Sequence, residues 1–394
     1  MRADVPGIVV VGAGLAGLRT VEALRRLGWT GAVTVVGDEP HMPYTRPPLS
    51  KKLLLEGGDH ATVELRRRDP QDGTTWLLGR RAEHVDLAAR RLTLDDGVAL
   101  RYRGLVVATG VRPRRLPDAI GGPRSVLRTI DDAQRLTDRL MPGTRLVIVG
   151  AGFIGCEVAA AALKRGCIVT VVAADPTPML IPLGAEVGEE LRRRHTADGI
   201  EFCLGVGVRA IEPGQVELTD GWILAADVVV EAIGSAPSVD WLSDNGLDLS
   251  NGVVTDGHLR VGGRNGAVAV GDVARFPNAR YDREPRRVEH WQIAVDTATF
   301  AAATLLSDLG GDPVGDPFGT IPTFWSDQGC VSIRAVGQPG IADEIEVLEG
   351  DLRGEAAIGY RREGRLVGVV LLGMPKALGG YFARLNAELE AVRV

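Results

Sequence analysis

One pattern occurs twice in this chain and constrains its fold more than any other feature. The apolar run Ile8-Val9-Val10-Val11 ends directly in Gly12-Ala13-Gly14-Leu15-Ala16-Gly17, and Leu146-Val147-Ile148-Val149 ends in Gly150-Ala151-Gly152-Phe153-Ile154-Gly155. Each copy reads as a buried strand, a glycine turn and the start of a helix. Glycine lets the backbone turn sharply and approach a pyrophosphate, whose charge then rests on free N–H groups at the helix N-terminus. A single GxGxxG in a glycine-rich chain is often an ordinary turn. Two copies in the same strand–turn–helix context argue for two dinucleotide sites.

Bulk properties limit the alternatives. At 394 residues the chain exceeds one hydrophobic core, so two or three domains are expected. Its 51 glycines stand well above the usual share of about 7%, as a turn-dense α/β chain requires. A net charge of −6 gives no support to a nucleic-acid or anionic-membrane partner. No apolar run reaches the roughly 18 residues of a membrane span. The first strand begins by Ile8, which leaves no room for a cleavable signal and predicts an unprocessed, cytoplasmic protein. Cys156, Cys167, Cys203 and Cys330 are scattered, with no CxxC and no metal-ligand spacing. No metal site is expected, and electrons are not expected to leave through sulfur.

Periodicity extends the duplication. Leu15, Leu18, Val21, Leu24 and Leu27 predict a helix over 15–27, followed by a strand over 33–36. Asp38 lies about 20 residues past Gly17, where a carboxylate accepts both ribose hydroxyls. A hairpin is predicted around Asp95-Asp96-Gly97, and the unit closes with Ala108-Thr109-Gly110. The second unit repeats the plan: strand 146–149, an alanine-rich helix over 154–165, strand 168–172, and a closure at 227–234. The run 267–270, ending in Gly271-Asp272, has no place there and returns to the first unit, with a helix of about 14 residues from His290. Beyond the breakers at 310–317, apolar runs 331–336, 356–360 and 366–372 and a last helix predict a small antiparallel domain. The expected fold class is α/β: two Rossmann-like dinucleotide-binding domains, one inserted in the other, plus a small C-terminal α+β domain. The expected limits are 1–111 with 235–315, then 112–234, then 316–394. Two dinucleotides in one chain imply a flavin and a nicotinamide, hence a flavoprotein oxidoreductase.

Further blocks carry a specific resemblance. Gly37-Asp38-Glu39-Pro40, Arg46-Pro47-Pro48-Leu49-Ser50-Lys51, Ala108-Thr109-Gly110 with Arg112-Pro113-Arg114, Gly271-Asp272, Glu289-His290-Trp291 and Phe324-Trp325-Ser326-Asp327-Gln328 occur in one order along nearly the whole chain. The sequence resembles the FAD-dependent NAD(P)H:ferredoxin reductases that serve cytochromes P450 and Rieske oxygenases, relatives of apoptosis-inducing factor. The resemblance implies Gly12, Gly14, Ala16 and Gly17 at the FAD pyrophosphate, Asp38 at its ribose, and Arg46 and Lys51 along the cofactor. It adds Arg128 and Asp272 as FAD contacts and Trp291 at the flavin ring. Val85, Ala108, Thr109, Gly110, Gly271, His290 and Trp325 complete the flavin side, and Gly150, Gly152, Phe153, Ile154, Gly155 and Gly234 the nicotinamide side. Lys51 and Glu157 match a catalytic lysine–glutamate pair beside the flavin, the alternative for Glu157 being an exposed carboxylate in the first turn of a helix, favoured there by the macrodipole alone.

The implied cofactors are FAD and NADH, with NADPH left open. The strand 169–172 ends in Ala173-Ala174 where NADH-preferring members carry a glutamate, and no arginine follows to bind a 2′-phosphate. Thr45 also replaces the family's usual aspartate before Arg46. The implied partner is a small iron–sulfur ferredoxin, and the arginine runs 66–68, 112–115 and 192–194 are candidate contacts; a monomer or a homodimer fits. Two rivals remain: an NADH oxidase or disulfide reductase on the same fold, which would want a cysteine after Asp38 that residues 39–51 lack, and an NADH-sensing redox scaffold with little turnover.

Overall fold

Uninterrupted β-branched runs such as Val9-Val10-Val11 show no alternation of polar and apolar residues, so they are stable only as strands covered on both faces. In the computed structural model, which describes residues 6–68 and 73–391, they occupy the middle of parallel sheets. The chain divides into two bodies. The first holds residues 6–45, 63–68, 73–112 and 236–322. Its five-stranded sheet is parallel throughout, in the order Ala267–Ala269, Gly104–Val107, Ile8–Val11, Val33–Gly37, Thr74–Leu78. Val10 and Val106 are fully buried at its centre, and burial of each contributes roughly 1.5–3 kcal/mol. Helices Leu15–Arg26 and Trp291–Asp308 pack against one another. The run after residue 266 does return to this sheet, as its Gly-Asp ending predicts, and the helix beginning at Trp291 is longer than expected. The strand Thr74–Leu78 was not foreseen. The predicted hairpin forms between Arg91–Leu94 and Ala99–Arg101, joined by Ala82–Asp86.

The second body holds residues 46–62, 113–235 and 323–391. Its parallel sheet runs Glu201–Leu204, Ile168–Ala173, Arg145–Val149, Val228–Glu231. Helix Phe153–Lys164 buries Ala159 to Ala162 and packs on the sheet with almost no side-chain bulk between. The same body carries a five-stranded antiparallel sheet in the order Thr323–Gln328, Val331–Gly337, Arg365–Leu372, Ala356–Arg362, Glu344–Gly350. Its three inner strands are the three apolar runs. The two edge strands, Thr323–Gln328 and Glu344–Gly350, interleave apolar with polar or charged residues and hold no long apolar run, because an edge strand has only one neighbour and is often kept charged against mispairing. Helix Leu378–Glu390 follows the last strand of this sheet.

Among the described residues no helix is long and apolar enough to cross a membrane. The expected limits at residues 1 and 394, and the reading of the N-terminus, lie outside the described residues.

Candidate functional site

The two glycine turns share one geometry. Gly12 and Gly150 have φ of +121° and +110°, and a Cβ on either would lie 2.1 and 2.3 Å from the carbonyl oxygens of Ala108 and Ala232. A Cβ on Gly17 or Gly155 would lie 1.9 or 2.1 Å from the carbonyl oxygen of Gly12 or Gly150. The first and third glycines are therefore demanded by the protein's own packing. Gly14 and Gly152 are different: both are extended, and among the described residues no atom other than those of the adjoining residues comes within 4 Å of an added Cβ. Each precedes a helix that has no side-chain N-cap and no acidic residue in its first turn. Free N–H groups at the positive end of a helix, facing open space that only glycine leaves, fit a pyrophosphate.

In the first body the neighbouring groups converge on the same end of the sheet, outside the carboxyl ends of its strands, where such folds bind ligands. Asp38 is exposed just past Val33–Gly37. Gly271, with φ +68°, would bring a Cβ within 2.9 Å of the Ala16 Cβ, which explains the small residue at position 16. Its N–H donates to Thr297 Oγ1, a tie that the sequence reading missed. Asp272 follows directly, and His290 and Trp291 open a second helix without a side-chain cap. Burial pushes the His290 imidazole down to about 4, so the ring is neutral at physiological pH. Thr109 donates its hydroxyl to the Ser238 carbonyl, and Gly110 accepts from Ser238 N–H. Val85 lies fully inside the hydrophobic core, its carbonyl accepting from the Asn245 side chain.

In the second body Gly150 N–H donates to Val172 as Gly12 N–H donates to Val36. This shared register sets Gly37-Asp38 on Ala173-Ala174, so the missing carboxylate is a structural fact as well as an alignment. Ala174 and Asp175 are exposed there, and Gly234 has φ +91°. Phe153 meets Phe324 edge to face at 5.2 Å between ring centres, while Ile154 and Trp325 are 45% and 40% exposed. Arg46 donates to the Arg128 carbonyl at 2.7 Å, so these two arginines are neighbours.

Lys51 and Glu157 form an ion pair at 2.7 Å. Glu157 sits in the second turn of its helix with 4% of its surface exposed, which rules out the exposed-carboxylate alternative. One carboxylate oxygen also accepts from Ser50 Oγ and the other from Ser326 Oγ at 2.5 Å. Neither serine was singled out, although each lies inside a block already recognised. The cost of burying a carboxylate is offset only when a counter-charge and hydrogen bonds are supplied together, as here.

The thiols are poor electron carriers. Cys156 is fully buried, and burial first and the Glu157 charge second push it up to about 12. Burial is also the first cause raising Cys167, Cys203 and Cys330, and all four are free. Replacing all four by serine is expected to leave NAD(P)H-dependent ferricyanide reduction within about threefold, since none is paired with another thiol and burial keeps each one protonated. A selective loss of flavin re-oxidation with flavin reduction intact would contradict this.

Among the arginine runs, Arg192, Arg193 and Arg194 are paired with Glu189 and Glu190 of their own helix. Arg112 and Arg115 pair with Asp240 and Glu231, and Arg114 donates to the Ser235 carbonyl. Arg66, Arg67 and Arg68 are exposed.

Comparison with known proteins agrees with this geometry. The profile of the family described as pyridine nucleotide-disulphide oxidoreductase matches residues 6–298. The chain is 35% identical over 382 residues to the ferredoxin–NAD(+) reductase component of the p-cumate 2,3-dioxygenase system of Pseudomonas putida, covering 95% of this chain and 92% of that protein. It is 35% identical over 379 residues to rhodocoxin reductase of Rhodococcus erythropolis, covering 94% and 87%. The crystal structure of the covalent putidaredoxin reductase–putidaredoxin complex superposes with a TM-score of 0.89 at 31% identity, covering 98% of this chain and 94% of that one.

Proposed function

Because the chain belongs to the pyridine nucleotide-disulphide oxidoreductase family, we propose that it is an FAD-dependent reductase taking electrons from NADH and passing them to a ferredoxin of a Rieske dioxygenase or cytochrome P450 system. The observation that carries the reading is the pair of open glycine turns, each before an uncapped helix in its own parallel sheet. Segments 1–111 and 235–315 bind FAD, 112–234 bind NADH, and 316–394 form the C-terminal domain. Bound FAD supplies the conversion of a two-electron donor into single electrons. The chain's own residues bind, orient and set charge. Gly12, Gly14 and Gly17 admit the FAD pyrophosphate, Asp38 its ribose, and Gly150, Gly152 and Gly155 the nicotinamide dinucleotide. Lys51, held by Glu157, places a positive charge at the flavin, where it favours the anionic reduced ring. Exposed Arg66 to Arg68 offer the acceptor, a small iron–sulfur protein, a basic contact. The same reading places the protein in the cytoplasm, as a monomer or a homodimer.

The purified protein is expected to be yellow, with one non-covalent FAD per chain, and to reduce ferredoxins with NADH in steady state. A colourless protein that cannot bind added FAD would sink the reading.

Discrimination between the nicotinamides is expected to be poor. With alanines at 173 and 174 both the grip on the ribose hydroxyls and the repulsion of a 2′-phosphate are weakened, and Asp175 lies too far along to replace them, so NADH should be favoured by less than about a hundredfold, or roughly 2.7 kcal/mol. Ala173→Glu should lower KM for NADH and raise it for NADPH. A wild-type preference beyond about a thousandfold in kcat/KM would place specificity outside this strand end.

A further inference from the structure

The Glu157 carboxylate is the end of a longer buried chain of hydrogen bonds. Strand Thr323–Gln328 alternates, so Ser326 and Gln328 point inward while Trp325 points out. Gln328 Nε2 donates to Ser326 Oγ at 3.0 Å and to Met179 Sδ at 3.6 Å. Gln328 Oε1 lies 2.8 Å from His195 Nε2, on helix Ala185–Asp198. Ser326 is 1% exposed, and Gln328 and His195 are 0% exposed.

The direction of every link follows from the charge at the end. An ionised carboxylate only accepts, so the single proton of Ser326 goes to Glu157. Ser326 must then accept from Gln328, which turns the amide nitrogen toward the serine and the oxygen toward the histidine. His195 must therefore carry its proton on Nε2. Its Nδ1 has no hydrogen-bond partner among the described residues. Burial, the largest influence, holds the imidazole below its usual range; Gln328 and Asp198 oppose that and Arg194 adds to it. The ring is neutral at pH 7, as a single Nε2 donor requires. From His195 through Gln328 and Ser326 each link donates toward Glu157, whose other carboxylate oxygen takes Lys51 and Ser50, while the second Gln328 amide hydrogen goes to Met179 Sδ.

We propose that Gln328 and His195 are positioning residues for the Lys51–Glu157 pair: their one-way hydrogen bonds hold the carboxylate, and through it the lysine ammonium, at one place beside the flavin. The proposal rests on the reading of Lys51 as a charge that acts on the flavin. Neither residue touches cofactor or substrate in this role. A satisfied buried polar chain specifies a single arrangement, which a lone ion pair at a partly exposed lysine does not.

The test is a double-mutant cycle on the holoenzyme, reading stopped-flow flavin reduction by NADH and the flavin midpoint potential. Gln328→Leu keeps the side chain's size and removes its hydrogen bonds. It is expected to slow reduction by about 3- to 10-fold and to move the potential in the same direction as Lys51→Met. In a Lys51→Met background it should add nothing to either quantity, because the ammonium it positions is gone. Equal effects in both backgrounds would make Gln328 merely structural and overturn the proposal, as would a silent Gln328→Leu beside a slow Lys51→Met. An unchanged Lys51→Met would instead overturn the underlying reading, and this proposal with it. A measurement on the wild-type holoenzyme does not depend on any variant folding: long-range 1H–15N NMR should find the His195 proton on Nε2 at pH 7. A proton on Nδ1 alone, or on both nitrogens, would overturn the proposed direction.

Discussion

Gly14→Val is expected to give a folded protein that retains no FAD. The backbone at Gly14 is extended, with φ −91°, a region open to valine, and among the described residues no atom other than those of the adjoining residues lies within 4 Å of an added Cβ. The fold should therefore tolerate the change. The new side chain would instead fill the space before the free N–H groups of helix Leu15–Arg26, and it should weaken flavin binding by at least about a thousandfold, or roughly 4 kcal/mol. Gly12→Val provides the contrast. There φ is +121° and the Cβ would lie 2.1 Å from a carbonyl oxygen, so the protein itself should fail to fold. Flavin absorbance per chain and thermal melting separate the two outcomes. A folded Gly14→Val protein that keeps stoichiometric FAD would mean that this turn does not hold the pyrophosphate.

Lys51→Met is expected to lower the flavin reduction potential and to slow flavin reduction by about 10- to 100-fold, corresponding to roughly 1.4–2.7 kcal/mol. Methionine preserves most of the side chain's length and removes its charge together with the ammonium's hydrogen bond to the Pro47 carbonyl. Glu157 keeps the Ser50 and Ser326 hydroxyls, so the buried carboxylate is not stripped of all its partners. Stopped-flow reduction and spectroelectrochemical titration measure the two effects independently. If both are unchanged, the ion pair is scaffolding.

What the sequence determined by itself is local in origin. An apolar strand, the glycine turn that ends it and a helix start without a cap are contained within about ten consecutive residues, and their chemistry is visible in the order of the letters. That is why the two turns, the duplicated units, the return of the strand before Gly271 and the three inner strands of the last sheet were all legible. The same holds for the departure at Ala173-Ala174, which the shared hydrogen bonds to Val36 and Val172 place at the end of equivalent strands. Thr74–Leu78 and the outer strands Thr323–Gln328 and Glu344–Gly350 were not legible. An edge strand is held mainly by hydrogen bonds to one neighbour, so its sequence need not carry a continuous apolar run. The surroundings of Glu157 were decided only by the tertiary structure. Position in a helix allows a glutamate to be either solvated or buried, and here the choice falls to Ser50, Lys51 and Ser326, brought to the carboxylate from distant segments. The proton on His195 depends on the same assembly, because a tautomer is set by the partner that folding supplies and not by neighbours in the chain.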